Sequence, residues 1–172
     1  MITYRLMAKA SPEKRRQLAE VMASNEGPER LEEFVSWLDN EFATLETSGR
    51  FYIVAELQKR IIGFVRIWDS PHIAEWVNDG ISVDPAYRRQ GVGRHLLETA
   101  LSVARTRGAK SVVGHVRTSN VANLRLHESV GFKRETEHYR NSYGYLMPPG
   151  GWQYRLSLDA KQPGPRKGCR GR

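Results

Sequence analysis

The sequence predicts a single α/β domain, and three features point there. Strand-like apolar runs alternate with helix-length stretches in which apolar residues recur every three to four positions. The length of 172 residues, with 40% hydrophobic and 27% charged residues, suits one water-facing globule around one core. One stretch, Ile81 to Leu97, joins an apolar strand run to an amphipathic helix through a turn of glycines and arginines.

Met1 to Ala8 alternates Ile2, Tyr4 and Leu6 with Thr3 and Arg5, which predicts a half-buried opening strand. Ser11-Pro12-Glu13 starts a helix with a capping residue, a first-position proline and an early acid, and turns Leu18, Val21 and Met22 inward. Asn25-Glu26-Gly27-Pro28 ends it. A second helix places Leu31, Phe34, Val35, Leu38, Phe42 and Leu45 on one stripe and stops at Thr47-Ser48-Gly49. Phe51 to Ala55 and Ile61 to Ile67 then flank Gln58-Lys59-Arg60 as a hairpin.

Asp69 to His72 reads as a loop and Glu75 to Val83 as the next strand, with Gly80 marking a bulge. A helix from Gly93 to Arg107 closes at Gly108, where a glycine commonly follows a helix C-terminus. Lys110 to Arg117 is a further strand, and Asn120 caps a helix carrying Val121, Leu124, Leu126 and Val130. Phe132 to Tyr145 and Trp152 to Leu158 form a closing antiparallel pair joined by Met147-Pro148-Pro149-Gly150-Gly151. The domain is expected to span residues 1–158, with 159–172 a disordered basic tail rich in Gly, Pro and Arg.

Composition narrows the function classes. No apolar run approaches the roughly 20 residues of a membrane-spanning helix, and the first residues lack the apolar core of a signal peptide, so a cytoplasmic protein with no membrane partner is expected. The single Cys169 cannot form an internal disulfide, and the five His have no ligand-spaced neighbours, so no metal is expected. The net charge of +8 invites a nucleic-acid reading. Five of those charges follow Ala160, however, leaving a net +3 for the rest, and that remainder also suits an anionic small molecule. Nucleic acid is therefore not the expected partner.

The turn after Val83 places Gly91 and Gly93 at the start of a helix, where first-turn N–H groups lack intrahelical acceptors and the helix dipole is positive. With Arg88, Arg89 and Arg94 beside it, the turn describes a phosphate or pyrophosphate receptor. It is not a Walker A loop, since Arg94-His95 stands where Lys-Ser/Thr is required. Nor is it a dinucleotide fingerprint, which wants a third small residue at Leu96. The run Arg88-Arg89-Gln90-Gly91-Val92-Gly93 resembles the acyl-coenzyme A pyrophosphate loop of the GNAT acetyltransferase superfamily. Ser119 to Phe132 is similar to that family's Asn-x-x-Ala-x-x-Leu-Tyr-Glu-x-x-Gly-Phe segment, with Asn123 in place of the usual Ala and His127 in place of the usual Tyr.

The resemblance implies a GNAT fold. Its mixed central sheet is flanked by helices and contains a parallel strand pair, 77–83 and 111–117, that splays to take the pantetheine arm of acetyl-CoA. Ile81 and Val83 would offer backbone groups to the arm and thioester, Arg88, Arg89, Gln90, Gly91, Val92, Gly93 and Arg94 would hold the pyrophosphate, and Asn120 would touch the cofactor. The implied activity is direct transfer of acetyl to a primary amine, on a small molecule or a peptide or protein, within a ternary complex. Such an amine must lose a proton, for which Glu75, Asp79 and His115 are candidate bases. His127 is the candidate acid for the departing thiolate, with Tyr139, Tyr143, Tyr145 or solvent as substitutes. The resemblance also puts the first two helices on the acceptor side of the cleft, which makes Ser24, Asn25, Glu26, Trp37 and Glu41 candidate acceptor contacts, although charges on an amphipathic helix also simply face water. Dimers are common among GNAT proteins. A non-catalytic acyl-CoA sensor and a basic nucleic-acid-associated protein stay open as alternatives.

Overall fold

The computed structural model describes residues 1–135, 140 and 150–158. Strand β1 (Thr3–Met7) is followed by helices α1 (Pro12–Glu26) and α2 (Leu31–Thr44), then β2 (Phe51–Leu57), β3 (Arg60–Asp69) and β4 (Glu75–Val83). Helix α3 (Val92–Thr106), β5 (Ser111–Arg117), α4 (Val121–Ser129), β6 (Lys133–Arg134) and β7 (Gly151–Ser157) complete the order. The strands form one sheet in the order β1-β2-β3-β4-β5-β7-β6. Every neighbouring pair is antiparallel except β4–β5, which is parallel and needs α3 as its crossover. The element bounds agree with the sequence-based expectations to within a few residues. Of the expected closing pair, Trp152 to Leu158 corresponds to β7 and only Lys133–Arg134 of Phe132 to Tyr145 is seen as β6; the rest of that segment and most of the joining run fall on residues 136–139 and 141–149, outside those described, as does the basic tail.

Two cores explain the three layers. Val92, Leu96, Leu97, Ala100, Leu101 and Ala104 make one stripe of α3, which packs on Phe51, Ile53, Ala55, Ile62, Val65 and Ile67. On the other sheet face, Leu18, Val21, Phe34 and Leu38 of α1 and α2 cover Tyr52, Val54, Ile61 and Phe64. Strand residues alternate between the two sets, as pleating requires. Among the described residues no helix is long and apolar enough to cross a membrane.

The β2–β3 hairpin closes through a two-residue turn in which both Gln58 (φ 50°) and Lys59 (φ 67°) are left-handed without being glycine. Helix α1 supports it from outside: Lys14 Nζ donates to the Lys59 carbonyl, and Ile61 N–H donates to Gln17 Oε1 at 3.0 Å. On β2, Glu56 accepts a two-pronged bond from Arg5 of β1 (2.6 and 3.0 Å) and one from Lys14 of α1 (2.8 Å). The bonds from Arg5, with that from Lys14, pull its carboxyl from an ordinary 4.5 down to about 2.

A buried ionic chain ties α2 to the middle of the sheet. Glu41 is 7% exposed and accepts from Arg50 (2.7 Å) and Arg66 (3.2 Å), with the Tyr52 hydroxyl at 3.5 Å. Arg66 reaches on to Asp79 and stacks over the Trp37 ring at 4.7 Å. Glu41 is therefore a member of the interior rather than of the solvated face of its helix.

Two outcomes follow from these contacts. Glu41→Ala leaves two half-buried guanidiniums without their shared carboxylate and should cost about 3–5 kcal/mol in urea unfolding. Glu56 contributes stability in full above pH 4.5, and that contribution is lost as pH falls toward 2. Unfolding free energy should thus fall more steeply across that window in the wild type than in Glu56→Gln; equal slopes would count against the Arg5–Glu56–Lys14 assignment.

Candidate active site

The parallel ladder between β4 and β5 runs through Glu75–Ser111, Trp76–Val112 and Val77–Val113 and has its last rung at Asn78–Gly114. Both strands continue, β4 to Val83 and β5 to Arg117. Beyond the last rung β4 keeps its other edge on β3, with Gly80 opposite Arg66 and Val83 opposite Gly63. The register shifts between Arg66 and Ile67, so Asp79 is the extra, bulged residue beside the expected Gly80. Alternate amides of residues 80–83 face the gap between the parted strands, and Ile81, Ser82 and Val83 are half-buried along it.

Helix α3 begins at the mouth of this gap. Its N-cap, Gly91, is left-handed (φ 80°) and contributes no side chain, so the first-turn N–H groups of Val92, Gly93 and Arg94 keep their outward donors. Val92 is 1% exposed and pins that turn to the core. Gly93 borders a tight corner between α3, α4 and β4: a Cβ there would make van der Waals contact with Leu126 Cδ2 (3.4 Å), Val83 Cγ2 (3.7 Å) and Ile81 Cδ1 (3.9 Å), and a larger side chain would fill it. His95 anchors the loop, with Nδ1–H donating to the Gly91 carbonyl at 3.0 Å and the ring stacked on Tyr4 of β1 at 5.3 Å.

Arg88, Arg89, Gln90 and Arg94 are exposed around the same turn. Arg94 pairs with Glu98 (2.8 Å), Gln90 donates to the Ala86 carbonyl (3.4 Å), and Arg89 is left-handed (φ 64°). Arg88 donates to Asn25 Oδ1 of α1 and, through Nε, to the Val83 carbonyl at 3.3 Å, which also accepts from Asn25 Nδ2 at 3.3 Å. Unpaired helix N–H donors with three guanidiniums fit a pyrophosphate, and parted strand edges fit an extended arm bearing amides.

On the sheet face shared with α1 and α2 stand Glu75, Asp79 and His115. Glu75 is held by Arg155 of β7 (2.6 Å) and Ser70 (3.0 Å), and Asp79 by Arg66. His115, half-buried on β5 one residue past the last rung, shares a hydrogen bond with Gln153 Oε1 at 3.3 Å. Gln153 Nε2 donates to Glu135 Oε2 at 2.5 Å, which turns Oε1 to the imidazole and makes Nε2–H of His115 the donor. Its neutral ring then carries the lone pair on Nδ1. Burial lowers the His115 pKa, opposed by the Gln153 bond and by the charges of Asp79 and Glu75.

Helix α4 lies on the opposite face. Asn120 is its N-cap, with Oδ1 accepting from Asn123 N–H at 3.1 Å. His127 is 1% exposed, 3.0 Å from Asn78 Nδ2 through Nε2 and 2.9 Å from the Asn123 carbonyl through Nδ1. A carbonyl can only accept, so Nδ1 carries the proton and Nε2 accepts from Asn78. Burial lowers the His127 pKa, with the Asn123 bond opposing. Both ring nitrogens are thus engaged inside the fold, on the far side of the sheet from Glu75, Asp79 and His115. Tyr139, Tyr143 and Tyr145 lie outside the described residues.

The sequence reading did not single out Asn78, Gly114, Arg66, Arg155, Glu135 or Gln153. Only Asn78 and Gly114 carried a hint, as a polar residue and a glycine inside apolar strand runs. Of the five residues placed near an acceptor, Asn25 reaches the turn, Trp37 stacks on Arg66, and Glu41 is buried.

Residues 14–132 match the model of the acetyltransferase (GNAT) family. The N-alpha-acetyltransferase RimI of Mycobacterium tuberculosis is 40% identical over 122 residues, 69% of this chain and 72% of that enzyme. The ribosomal protein bS18-alanine N-acetyltransferase of Escherichia coli is 46% identical over 63 residues, so that the match spans 37% of this chain and only 42% of that relative's length. The N-acetyltransferase of Thermoplasma acidophilum solved in complex with coenzyme A superposes with a TM-score of 0.68 at 16% identity, covering 91% of this chain and 99% of that one, a likeness of fold. Fold, glycine-headed helix and family match together place this chain in the GNAT acetyltransferase family.

Proposed function

We propose that this chain is an N-acetyltransferase that moves the acetyl group of acetyl-CoA to a primary amine by direct attack in a ternary complex. The observation that carries this reading is the parting of β4 and β5 after Asn78–Gly114, at the N-terminus of a helix headed by Gly91 and Gly93. Acetyl-CoA, when bound, supplies the activated acetyl group. Ile81 and Val83 line the gap that would take its arm, and the first turn of α3 with Arg88, Arg89 and Arg94 would hold the pyrophosphate. Asn120, at the head of α4, would contact the cofactor while capping its helix. A backbone N–H of β4 beyond the bulge would meet the thioester oxygen, where a preplaced donor stabilises developing charge by about 3 kcal/mol.

The acceptor amine enters from the α1/α2 face, where Glu75, Asp79 and His115 stand together. Ammonium is held by the two carboxylates, and it reacts only after losing a proton. We assign that proton to His115. Burial lowers its pKa and the Glu135–Gln153 chain orients its imidazole, beside the carboxylates of Glu75 and Asp79 that Arg155 and Arg66 fix in place. The relatives named as a ribosomal protein bS18-alanine N-acetyltransferase and an N-alpha-acetyltransferase support a peptide α-amino group as the acceptor class. A cytoplasmic site of action accords with such an acceptor.

Calorimetric titration should show acetyl-CoA binding to the wild type and its loss in Gly93→Val, whose side chain would occupy the corner with Leu126 and Val83. No binding by a folded wild type would remove the reading. With a panel of N-terminal peptides assayed for thiol release, His115→Gln should lower kcat/KM roughly 10²-fold or more and flatten the acid limb that His115 imposes below about pH 6.5. An unchanged profile would pass the role of base to Asp79 or Glu75.

A further inference from the structure

His127 occupies the position where the family pattern has a tyrosine, yet its imidazole is 1% exposed and wholly enclosed. Its surroundings are specific. Asn78 and Gly114 are the two members of the last β4–β5 rung, and His127 touches both. Nε2 accepts from Asn78 Nδ2 at 3.0 Å, and the Nε2–Cδ2 edge of the ring comes so close to Gly114 that a Cβ there would fall 2.7 Å from Nε2 and 3.0 Å from Cδ2. The three atoms nearest to that hypothetical Cβ all belong to His127. Gly114 is not among the residues with positive φ, so its lack of a side chain answers to the imidazole and not to the backbone.

The remaining sides are closed by aromatic rings. Phe132 packs edge-on at 4.9 Å between centroids and Tyr154 of β7 lies at 5.7 Å, with its hydroxyl turned away to Glu128 (3.0 Å) and Arg134 (3.1 Å). Nδ1–H is spent on the Asn123 carbonyl one helical turn back. The groups facing the ring are therefore Asn78 from β4, Gly114 from β5, Tyr154 from β7, and Asn123 and Phe132 from α4 and the residues after it, none of them charged. Burial lowers its pKa, so the neutral tautomer described above is the one the pocket accepts.

We propose that His127 is a positioning residue: a neutral imidazole wedged over the Asn78–Gly114 rung that fixes where β4 and β5 part, and so the width of the gap that takes the acyl-CoA arm. The role rests on the acetyl-CoA reading given above for what fills the gap, but not for the wedge itself. No rung follows Asn78–Gly114, and Asn78 is only 4% exposed; its buried side-chain bond to His127 clamps α4 onto the last rung. Asn78 Oδ1 meanwhile accepts from Gly80 N–H at 3.4 Å, which carries the same constraint into the bulge next to Asp79. One side chain of α4 thereby sets the strand parting on one face of the sheet and the bulge beside the acid–base groups on the other. The thiolate of coenzyme A, in this account, takes its proton from elsewhere than His127.

A stability cycle, imidazole NMR and steady-state kinetics on the full chain test this together. Gly114→Ala should lower the melting temperature by about 5 °C or more in the wild type and by under about 2 °C in His127→Ala, because the clash exists only when the imidazole is present. Equal losses in both backgrounds would overturn the wedge. Should His127→Ala fail to fold, 15N spectra of the wild type decide the same point: a proton fixed on Nδ1 that does not titrate between about pH 5.5 and 8 supports it, and titration near about 6.5 overturns it. His127→Phe should raise the KM and Kd for acetyl-CoA by about tenfold with kcat changed far less, and His127→Gln, which can still accept from Asn78, should recover most of that loss. A fall in kcat of about 10² with KM unchanged would make His127 a proton donor at the reacting atoms and sink the proposal. If the wild type binds no acetyl-CoA, the functional reading fails while the cycle and the spectra still decide the wedge.

Discussion

A parallel pair of strands in which neighbours cease to bond while both strands continue is the constraint to which the rest of this molecule answers. Backbone N–H and C=O groups cannot be left without partners in an interior, so such a parting is stable only where a ligand or solvent meets the freed edge. Everything around it keeps that opening while closing the others. Strand β3 holds the far edge of β4 through the bulge, β7 holds the far edge of β5, and α3 covers the sheet with its N-terminus at the mouth. The two cores lie on opposite faces, so each face can carry its own chemistry: apolar and aromatic about α4, ionic about α1 and α2.

The ionic face is organised by competition among charges. Arg66 serves Glu41 and Asp79 at once, and Arg155 serves Glu75 and Glu135. Shared guanidiniums of this kind fix the carboxylates in place. His115 stands among them as a group governed by burial and by an amide chain. The neighbours of each group therefore differ: guanidiniums about the carboxylates, an amide about the imidazole.

Much of this was readable from local pattern, and the exceptions have a common cause. The glycine-headed turn, the capping residues Ser11 and Asn120, the stripe of α3 and the bulge near Gly80 each depend on residues close in the chain, and each stands where local rules put it. Glu41 looked like an ordinary acid on an amphipathic helix because nothing within its own turn reveals Arg50 and Arg66, which arrive from β2's edge and β3. Nothing near His127 in the chain reveals its enclosure, which is created by a missing side chain at Gly114 and by Asn78 on another strand. The parting of β4 and β5 itself came into the reading only through family resemblance, since the polar Asn78 and the glycine at Gly114 do not by themselves mark an end of pairing. Long-range pairing decided each of these, and periodicity does not see it.

The hairpin between β2 and β3 has a bearing on how the chain reaches this state. Two successive non-glycine residues in left-handed conformation cost about 1 kcal/mol or more each, so Gln58-Lys59 does not nucleate its own strands in the manner of an Asn-Gly turn. What holds it shut comes from Lys14 and Gln17, far away in sequence. The turn of the central antiparallel pair therefore depends on α1 for support, which ties the stability of that hairpin to a long loop closure.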